Sequence, residues 1–407
     1  MKVLLINNCH YRRGGSESVY FNTAKLLKAH GHEVVYLSYY DKGNEQTDDK
    51  EYLIEWGGSI KKITHYFYNI DSASMIELII ENERPDIAHV HLLWGGIGVS
   101  IFSALRKHNI PLVHTVHDYR MICPAYTFKN NNSICENCKR WNFYQCTLKR
   151  CNKGSLVQSA IMTLEMYFRQ LFFNPINNID GFLFVSKFAK QKHIEHCPEF
   201  ASVDHDVLYN FTKPMLPRDA KVKEDYYLFF GRLSYEKGIK TLIEAFAKTP
   251  SIKLKIVGTG PLESELKNLC SKYKLDNIEF LGYKSGDSLC KLIQKAKFVC
   301  VPSEWYENNP MTILESYSLG TPVIGANIGG IPEIILEGVT GFTFESSNLE
   351  SLIGIINYTC ELDVDKYLEL CESSYSFYEK NFTEEVYYTR LMEFYNKVRT
   401  KLTNNIL

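Results

Sequence analysis

The chain has 407 residues, a formal net charge of −1, 45% apolar and 23% charged residues. That balance excludes disordered, collagen-like and coiled-coil chains, and the length suits two domains with sizeable cores. No apolar run approaches the ~18–20 residues that span a bilayer, and Val3-Leu4-Leu5-Ile6 is too short for the core of a signal peptide. Twelve cysteines without a secretion signal lead us to expect the reducing cytoplasm rather than a disulfide scaffold. The near-zero charge is an average: residues 1–99 sum to −3, 100–172 to +7, 173–212 to −2 and 213–407 to −3. All twelve histidines precede residue 206.

In chain order, the first expected element is a strand at VLLIN, followed by a polar turn through Gly14 and Gly15. A helix follows, with Ser16 as its cap, Val19, Ala24, Leu26 and Leu27 on one face, and Gly31 at its end. EVVYLSY is the next strand, which completes a βαβ reading. Short unbroken apolar runs suit strands buried on both faces of a parallel sheet, and the rhythm continues through IAHVH (87–91), LVHTVH (112–117) and FLFVS (182–186). Prolines and charges over about 210–225 mark a linker. The alternation then restarts with YLFF, helix 239–248, KLKIV, helix 262–273, NIEFL, helix 287–295, FVCV, helix 311–319 and PVIGA. Residues 383–402 place Val386, Leu391, Phe394, Tyr395 and Val398 at helical spacing, an amphipathic closing helix.

The fold class is therefore α/β, with two doubly wound, Rossmann-like domains that bind ligands at the carboxyl ends of their strands. Neither phosphate-binding fingerprint is present. GTGPLE lacks the third glycine of GxGxxG, GGSESV lacks its spacing, and GxxxxGK[ST] is absent. Hydride transfer and P-loop ATP hydrolysis are disfavoured accordingly.

The most informative stretch is GRLSYEKG (231–238), directly after YLFF. Gly231 allows a tight exit from the strand, while Arg232 and Lys237 put two cations in the strand-to-helix loop, suited to phosphate. Taken alone, this is equally a solvated charged loop. The second stretch, 301–335, changes the balance. Asn309 and Pro310 read as an N-cap and first-turn proline, so the N–H groups of Met311 and Thr312 would form an anion site at a helix start. Glu307 and Glu315, eight residues apart, could accept hydrogen bonds from sugar and ribose hydroxyls; the bland reading makes Glu315 a helix-face charge and Glu307 a first-turn complement to the helix dipole.

This combination resembles the retaining glycosyltransferases of family 4, whose signature is two glutamates separated by seven residues in the second domain of a GT-B fold. Pro302-Ser303, GTPVI (320–324) and GGIPEI (329–334) fit as well. The resemblance implies two Rossmann-like domains facing across a cleft: an acceptor domain over 1–212 with a Cys-rich basic insertion at about 120–172, a donor domain over 213–382, and a helix over 383–407 that packs back on the first. It implies that Arg232 and Lys237 hold the donor diphosphate, that Glu307 contacts the transferred sugar and that Glu315 binds the ribose, with no metal or other cofactor required for catalysis. Gly258 and Gly260 would let the backbone approach the nucleotide, Tyr283 lies where the base is held, and Met311 and Thr312 would face the donor. Asn309 replaces the family's usual aromatic or small residue. In the first domain, Gly14 and Gly15 fall where glycines approach the diphosphate, and His117, before Asp118, falls at a position that helps stabilise the reacting sugar. Read without the resemblance, the glycines are an ordinary turn and the histidine structural.

The implied reaction transfers a sugar from a UDP- or GDP-sugar to a hydroxyl of a glycan or lipid-linked acceptor, in surface polysaccharide, O-antigen or exopolysaccharide assembly. A sugar-nucleotide epimerase and a non-catalytic sugar-nucleotide-binding protein are the alternatives. Cys135, Cys138, Cys146 and Cys151 lie in a cluster with Cys135-x-x-Cys138 spacing, a candidate structural zinc set beside the reading as free thiols. The +7 stretch interleaves Arg140, Lys149, Arg150 and Lys153 with Trp141, Phe143 and Tyr144 and then enters an apolar helix. No nucleic-acid module accompanies it, so an anionic membrane leaflet on the cytoplasmic side or a lipid-phosphate acceptor is the expected partner, against a buried helix beneath a loop.

Overall fold

A computed structural model describes residues 1–130, 133–214, 216–218 and 223–406. The chain forms two compact units, Met1–Leu208 with Tyr388 onward, and Tyr209–Tyr387. The first opens with β1 (Lys2–Ile6), α1 (Gly15–Ala29), β2 (Glu33–Tyr39) and β3 (Lys50–Ile54). It continues through α2 (Ser59–Phe67), α3 (Ile70–Glu83), β4 (Ile87–Val90), α4 (Ile101–Lys107) and β5 (Leu112–Val116). An insertion then carries a small hairpin, β6 (Lys129–Asn130) and β7 (Ser133–Ile134), followed by α5 (Tyr144–Leu148) and α6 (Leu156–Phe172). The turn α7 (Pro175–Asn178), β8 (Gly181–Phe184), α8 (Lys187–His196) and β9 (His205–Val207) complete it.

Among the described residues these strands make one seven-stranded parallel sheet in the order β3-β2-β1-β4-β5-β8-β9. Every residue of β4, β5 and β8 is buried, as strands covered on both faces require. The sheet order turns back at β1 and β4, so the loops leaving those strands splay apart, which is where such sheets bind ligands.

The second unit runs β10 (Tyr227–Phe230), α9 (Ile239–Lys248), β11 (Leu254–Val257), α10 (Glu263–Tyr273), β12 (Ile278–Gly282) and α11 (Gly286–Lys295). It continues with β13 (Phe298–Val301), α12 (Met311–Ser318), β14 (Val323–Ala326), β15 (Gly341–Phe344), α13 (Leu349–Cys360) and α14 (Val364–Asn381). The described strands form a six-stranded parallel sheet, β12-β11-β10-β13-β14-β15, with its switch point between β10 and β13. The alternation of β10 explains the two-sided core. Tyr227 and Phe229 pack with Ile243, Phe246 and Phe298 on one face; Tyr226, Leu228 and Phe230 pack with Ile313, Leu314 and Tyr317 on the other.

The final helix, α15 (Glu384–Ile406), belongs to the first unit from Tyr388 onward. Its Tyr395 hydroxyl lies 2.6 Å from His89 Nδ1, and Arg390 donates to the Val207 carbonyl at 2.7 Å. A Cβ at Gly181 would stand 2.8 Å from Phe394, so the missing side chain there makes room for the helix. The linker expected over 210–225 lies partly outside the described residues. Its first part folds with the second unit: Asn210 N–H donates to Asn309 Oδ1 at 2.9 Å and Phe211 packs on Tyr387 with ring centroids 4.1 Å apart.

Candidate active site

In the second unit, the loops leaving β10 and β13 sit side by side at the switch point. Lys237, near the end of the β10 loop, brings Nζ to 2.6 Å from Glu307 Oε1 in the β13 loop, and Ser303 Oγ donates to the same oxygen at 2.8 Å. The ammonium also lies 5.6 Å from the centre of the Trp305 ring. Glu307 is buried, and burial pushes its carboxyl up, but the Lys237 charge and the hydrogen bonds from Lys237 and Ser303 outweigh this and hold it below the usual glutamate value. Arg232 opens the same β10 loop with an exposed side chain.

Backbone contacts fix the pair. Glu304 N–H donates to the Glu236 carbonyl at 2.9 Å, and Gly330 N–H to that of Glu307 at 2.7 Å. Gly329 has φ +63°, and a Cβ there would meet Glu307 O at 2.4 Å, so the double-glycine turn is what allows the chain to close over Glu307. At Gly258 a Cβ would stand 1.9 Å from Gly231 O, and one at Gly260 2.3 Å from Leu233 O. These two glycines thus seat the GTGP turn against the loop that carries Arg232, a role that the sequence reading had not given them. Tyr283 follows β12 and is exposed.

The start of α12 differs from expectation. Pro310 itself is the N-cap, with extended backbone, and Met311 is the first helical residue. Asn309 does not cap because its side chain is committed elsewhere: Oδ1 accepts from Asn210 N–H and its carbonyl accepts from Asn210 Nδ2 at 3.0 Å. The helix-start amides still belong to Met311 and Thr312, ahead of the first hydrogen bond, from Ile313 N–H to Pro310 O at 3.1 Å. Glu315 lies one turn further on. Its side chain is half-buried and burial pushes its pKa up to about 7, with no side-chain donor to it among the described residues. A half-buried carboxyl with its oxygens accessible can accept from a ligand hydroxyl.

In the first unit, Gly14 is the N-cap of α1 and Gly15 its first residue, just beyond the end of β1. Ser16 lies inside the first turn, where its hydroxyl donates to Glu17 at 3.0 Å instead of capping. His117 follows β5, and its Nε2 is 2.9 Å from His91 Nδ1. Burial holds His117 down at about 3, so the ring is neutral. His91, the last residue of IAHVH, is fully buried and is the imidazole's direct neighbour. Ser303 and Trp305, which frame Lys237 and Glu307, were also missed as participants, although Ser303 stands in the quoted Pro-Ser pair.

The cysteines of the insertion do not make the expected zinc set. Among the described residues no group of three or more His, Cys, Asp or Glu side chains could hold a metal ion. Instead Cys146 and Cys151 hydrogen-bond to each other, Asn130 donates to Cys151 Sγ at 3.4 Å and the Lys149 ammonium to Cys135 Sγ at 3.5 Å.

The family described as Glycosyltransferase Family 4 matches residues 13–213, and that described as Glycosyl transferases group 1 matches 216–375. An uncharacterized 42.6 kDa protein in the cps region of Klebsiella pneumoniae is 27% identical over 82% of this chain and 87% of its own length. The sulfoquinovosyl transferase SQD2 of Arabidopsis thaliana is 32% identical over 83% of this chain and 62% of its own. Among solved structures, Anabaena Alr3699/HepE in complex with UDP superposes with a TM-score of 0.70 at 18% identity, over 97% of this chain and 99% of that one; the same protein has been solved with UDP-glucose. The fold is GT-B, and with both halves of the chain matched in order, this protein belongs to the family 4, group 1 glycosyltransferases.

Proposed function

We propose that the enzyme is a retaining glycosyltransferase that uses a UDP- or GDP-sugar and glycosylates a hydroxyl of a glycan or lipid-linked acceptor. The setting is the assembly of surface polysaccharide, O-antigen or exopolysaccharide at the cytoplasmic face of a membrane. The relative in a cps region and the HepE structures with UDP and UDP-glucose support this choice of pathway and donor. The observation that carries the reading is the Lys237–Glu307 contact at the switch point, with Glu315 half-buried and without a side-chain donor among the described residues.

In this reading Arg232, Lys237 and the Met311 and Thr312 amides hold the diphosphate. The bond from the sugar's anomeric carbon to the phosphate oxygen breaks, and the departing phosphate is stabilised by those donors in place of a metal ion. The acceptor hydroxyl attacks the same face of the sugar and passes its proton to the departing phosphate oxygen. Glu307 contacts the transferred sugar, Glu315 accepts from the ribose hydroxyls, Tyr283 flanks the base, and Gly258 and Gly260 hold the surrounding loops. Gly14, Gly15 and the neutral His117 serve the diphosphate and the reacting sugar from the first unit. A screen of UDP- and GDP-sugars by thermal shift, followed by product analysis with lipid-linked acceptors in EDTA, tests the reading. It expects one donor to stabilise the protein and transfer to proceed in the chelator; isomerised donor, or binding without any turnover, would contradict it.

A further inference from the structure

Helix α6 is built inside out. Its two charged residues, Glu165 and Arg169, are both buried and pair at 3.2 Å. The Arg169 guanidinium sits 4.0 Å over the Trp94 ring and donates to the Arg120 carbonyl at 3.1 Å. The outward face is apolar. Val157, Leu171 and Phe172 are 66–68% exposed and Leu164 58%; Val157, Leu164 and Leu171 recur at seven-residue steps along one helical stripe, and Phe172 lies beside the last of them. A surface helix of a soluble domain ordinarily shows the reverse pattern. Here the chain accepts two costs together, a buried ion pair and an exposed apolar ridge.

The surroundings define what covers the ridge. Helix α2 packs beside it, with Phe67 against Phe168 at 5.8 Å between ring centres, and adds exposed Ile63 and Lys62. Exposed Lys149, Arg150 and Lys153 lead into the helix, and residues 140–172 hold five basic side chains against one acidic. No helix among the described residues is long and apolar enough to cross a membrane. A 17-residue helix with an apolar stripe, basic flanks and aromatic residues at its end has instead the make-up of one that lies in the plane of a lipid interface.

We propose that the outward face of α6 is the membrane-docking surface of this enzyme, inserting Leu164, Leu171 and Phe172 among the acyl chains of an anionic bilayer while Lys62, Arg150 and Lys153 meet the headgroups. The inference deepens the reading of a membrane-presented acceptor, and because its test measures lipid binding rather than transfer, either can fail alone. The experiment is flotation of the full chain with vesicles of phosphatidylethanolamine containing about one-third phosphatidylglycerol, against phosphatidylcholine vesicles. Binding to the anionic vesicles is expected to be at least ~10-fold tighter and to weaken with salt. The double variant Leu164→Glu/Phe172→Glu should lose ~10-fold or more of that binding, and Lys62→Glu/Lys153→Glu should weaken it and flatten its salt dependence. Unchanged circular dichroism and UDP binding would show that both variants are folded. Equal binding to both vesicle types, or wild-type vesicle binding by the Leu164→Glu/Phe172→Glu variant, would overturn the proposal. So would a stable dimer that this variant dissociates, which would assign the face to a second copy of the chain.

Discussion

At the scale of single residues, the site holds two carboxyls shifted in opposite directions. Glu307 is held ionised by Lys237, whereas burial raises the pKa of Glu315 to about 7, so that it is about half ionised at neutral pH. The Lys237–Glu307 pair implies that Lys237→Ala does double damage. It should lower turnover by at least ~10²-fold, the usual loss when a preorganised donor to a developing anion is removed. It should also leave a buried carboxylate short of its main partner, at about 1–3 kcal/mol of stability read from urea unfolding. A variant that is less stable yet turns over normally would separate the structural contact from catalysis and contradict the assigned role. Glu315 gives a pH signature. If the ribose is bound by its carboxylate, donor affinity measured by calorimetry should be about tenfold weaker at pH 6 than at pH 8, because a group with a pKa of about 7 loses most of its charge over that interval. Its folded pKa lies above the ordinary value, so the folded state holds a proton the unfolded state has released, and stability falls as pH rises from about 4.5 to 7. Glu315→Gln should therefore raise the melting temperature at pH 8, have less effect at pH 5, and weaken donor binding. A flat affinity profile, or no gain in melting temperature at pH 8, would count against this state for Glu315.

At the scale of elements, short loops between buried strands do the positioning, and glycine decides how closely they approach. Gly329 and Gly338 make the comparison, since both have left-handed backbone, with φ of +63° and +67°. A Cβ at Gly338 meets nothing within 4 Å, whereas one at Gly329 meets Glu307 O at 2.4 Å. Gly338→Ala should cost about 1 kcal/mol of backbone strain and leave donor affinity alone. Gly329→Ala should cost more than that and weaken donor binding by displacing Glu307, as urea midpoints and UDP titrations would report. Equal effects of the two would mean that the turn does not set the carboxylate. This scale is also where the sequence was most readable. YLFF, FVCV, EVVYLSY and helix 239–248 fall on β10, β13, β2 and α9 residue for residue, because unbroken apolar runs between glycine or proline signals are what a buried parallel sheet demands. β3, with KEYLI, and β15, with GFTF, were not anticipated: they are outer strands whose mixed polarity carries no such signal. The cap of α12 was misplaced by one residue because Asn309 spends its side chain on Asn210, a long-range contact that local patterns do not contain. The same limit hid the His91–His117 and Ser303–Glu307 contacts, and let CxxC spacing stand for a ligand set that the folded insertion does not assemble.

At the scale of the whole molecule, the net charge of −1 conceals a division of labour. The second unit concentrates Arg232, Lys237, Glu307 and Glu315 around its switch point, and the first carries the neutral His117 at the end of β5, together with the basic insertion. Family membership is independent of that assignment, whereas stereochemistry and donor chemistry depend on it. The most direct test is the proton NMR spectrum of the product made from an α-linked UDP- or GDP-sugar and a lipid-linked acceptor. The account predicts an α-configured new linkage, with transfer lost in Lys237→Ala. A β-configured linkage from the same donor would contradict it.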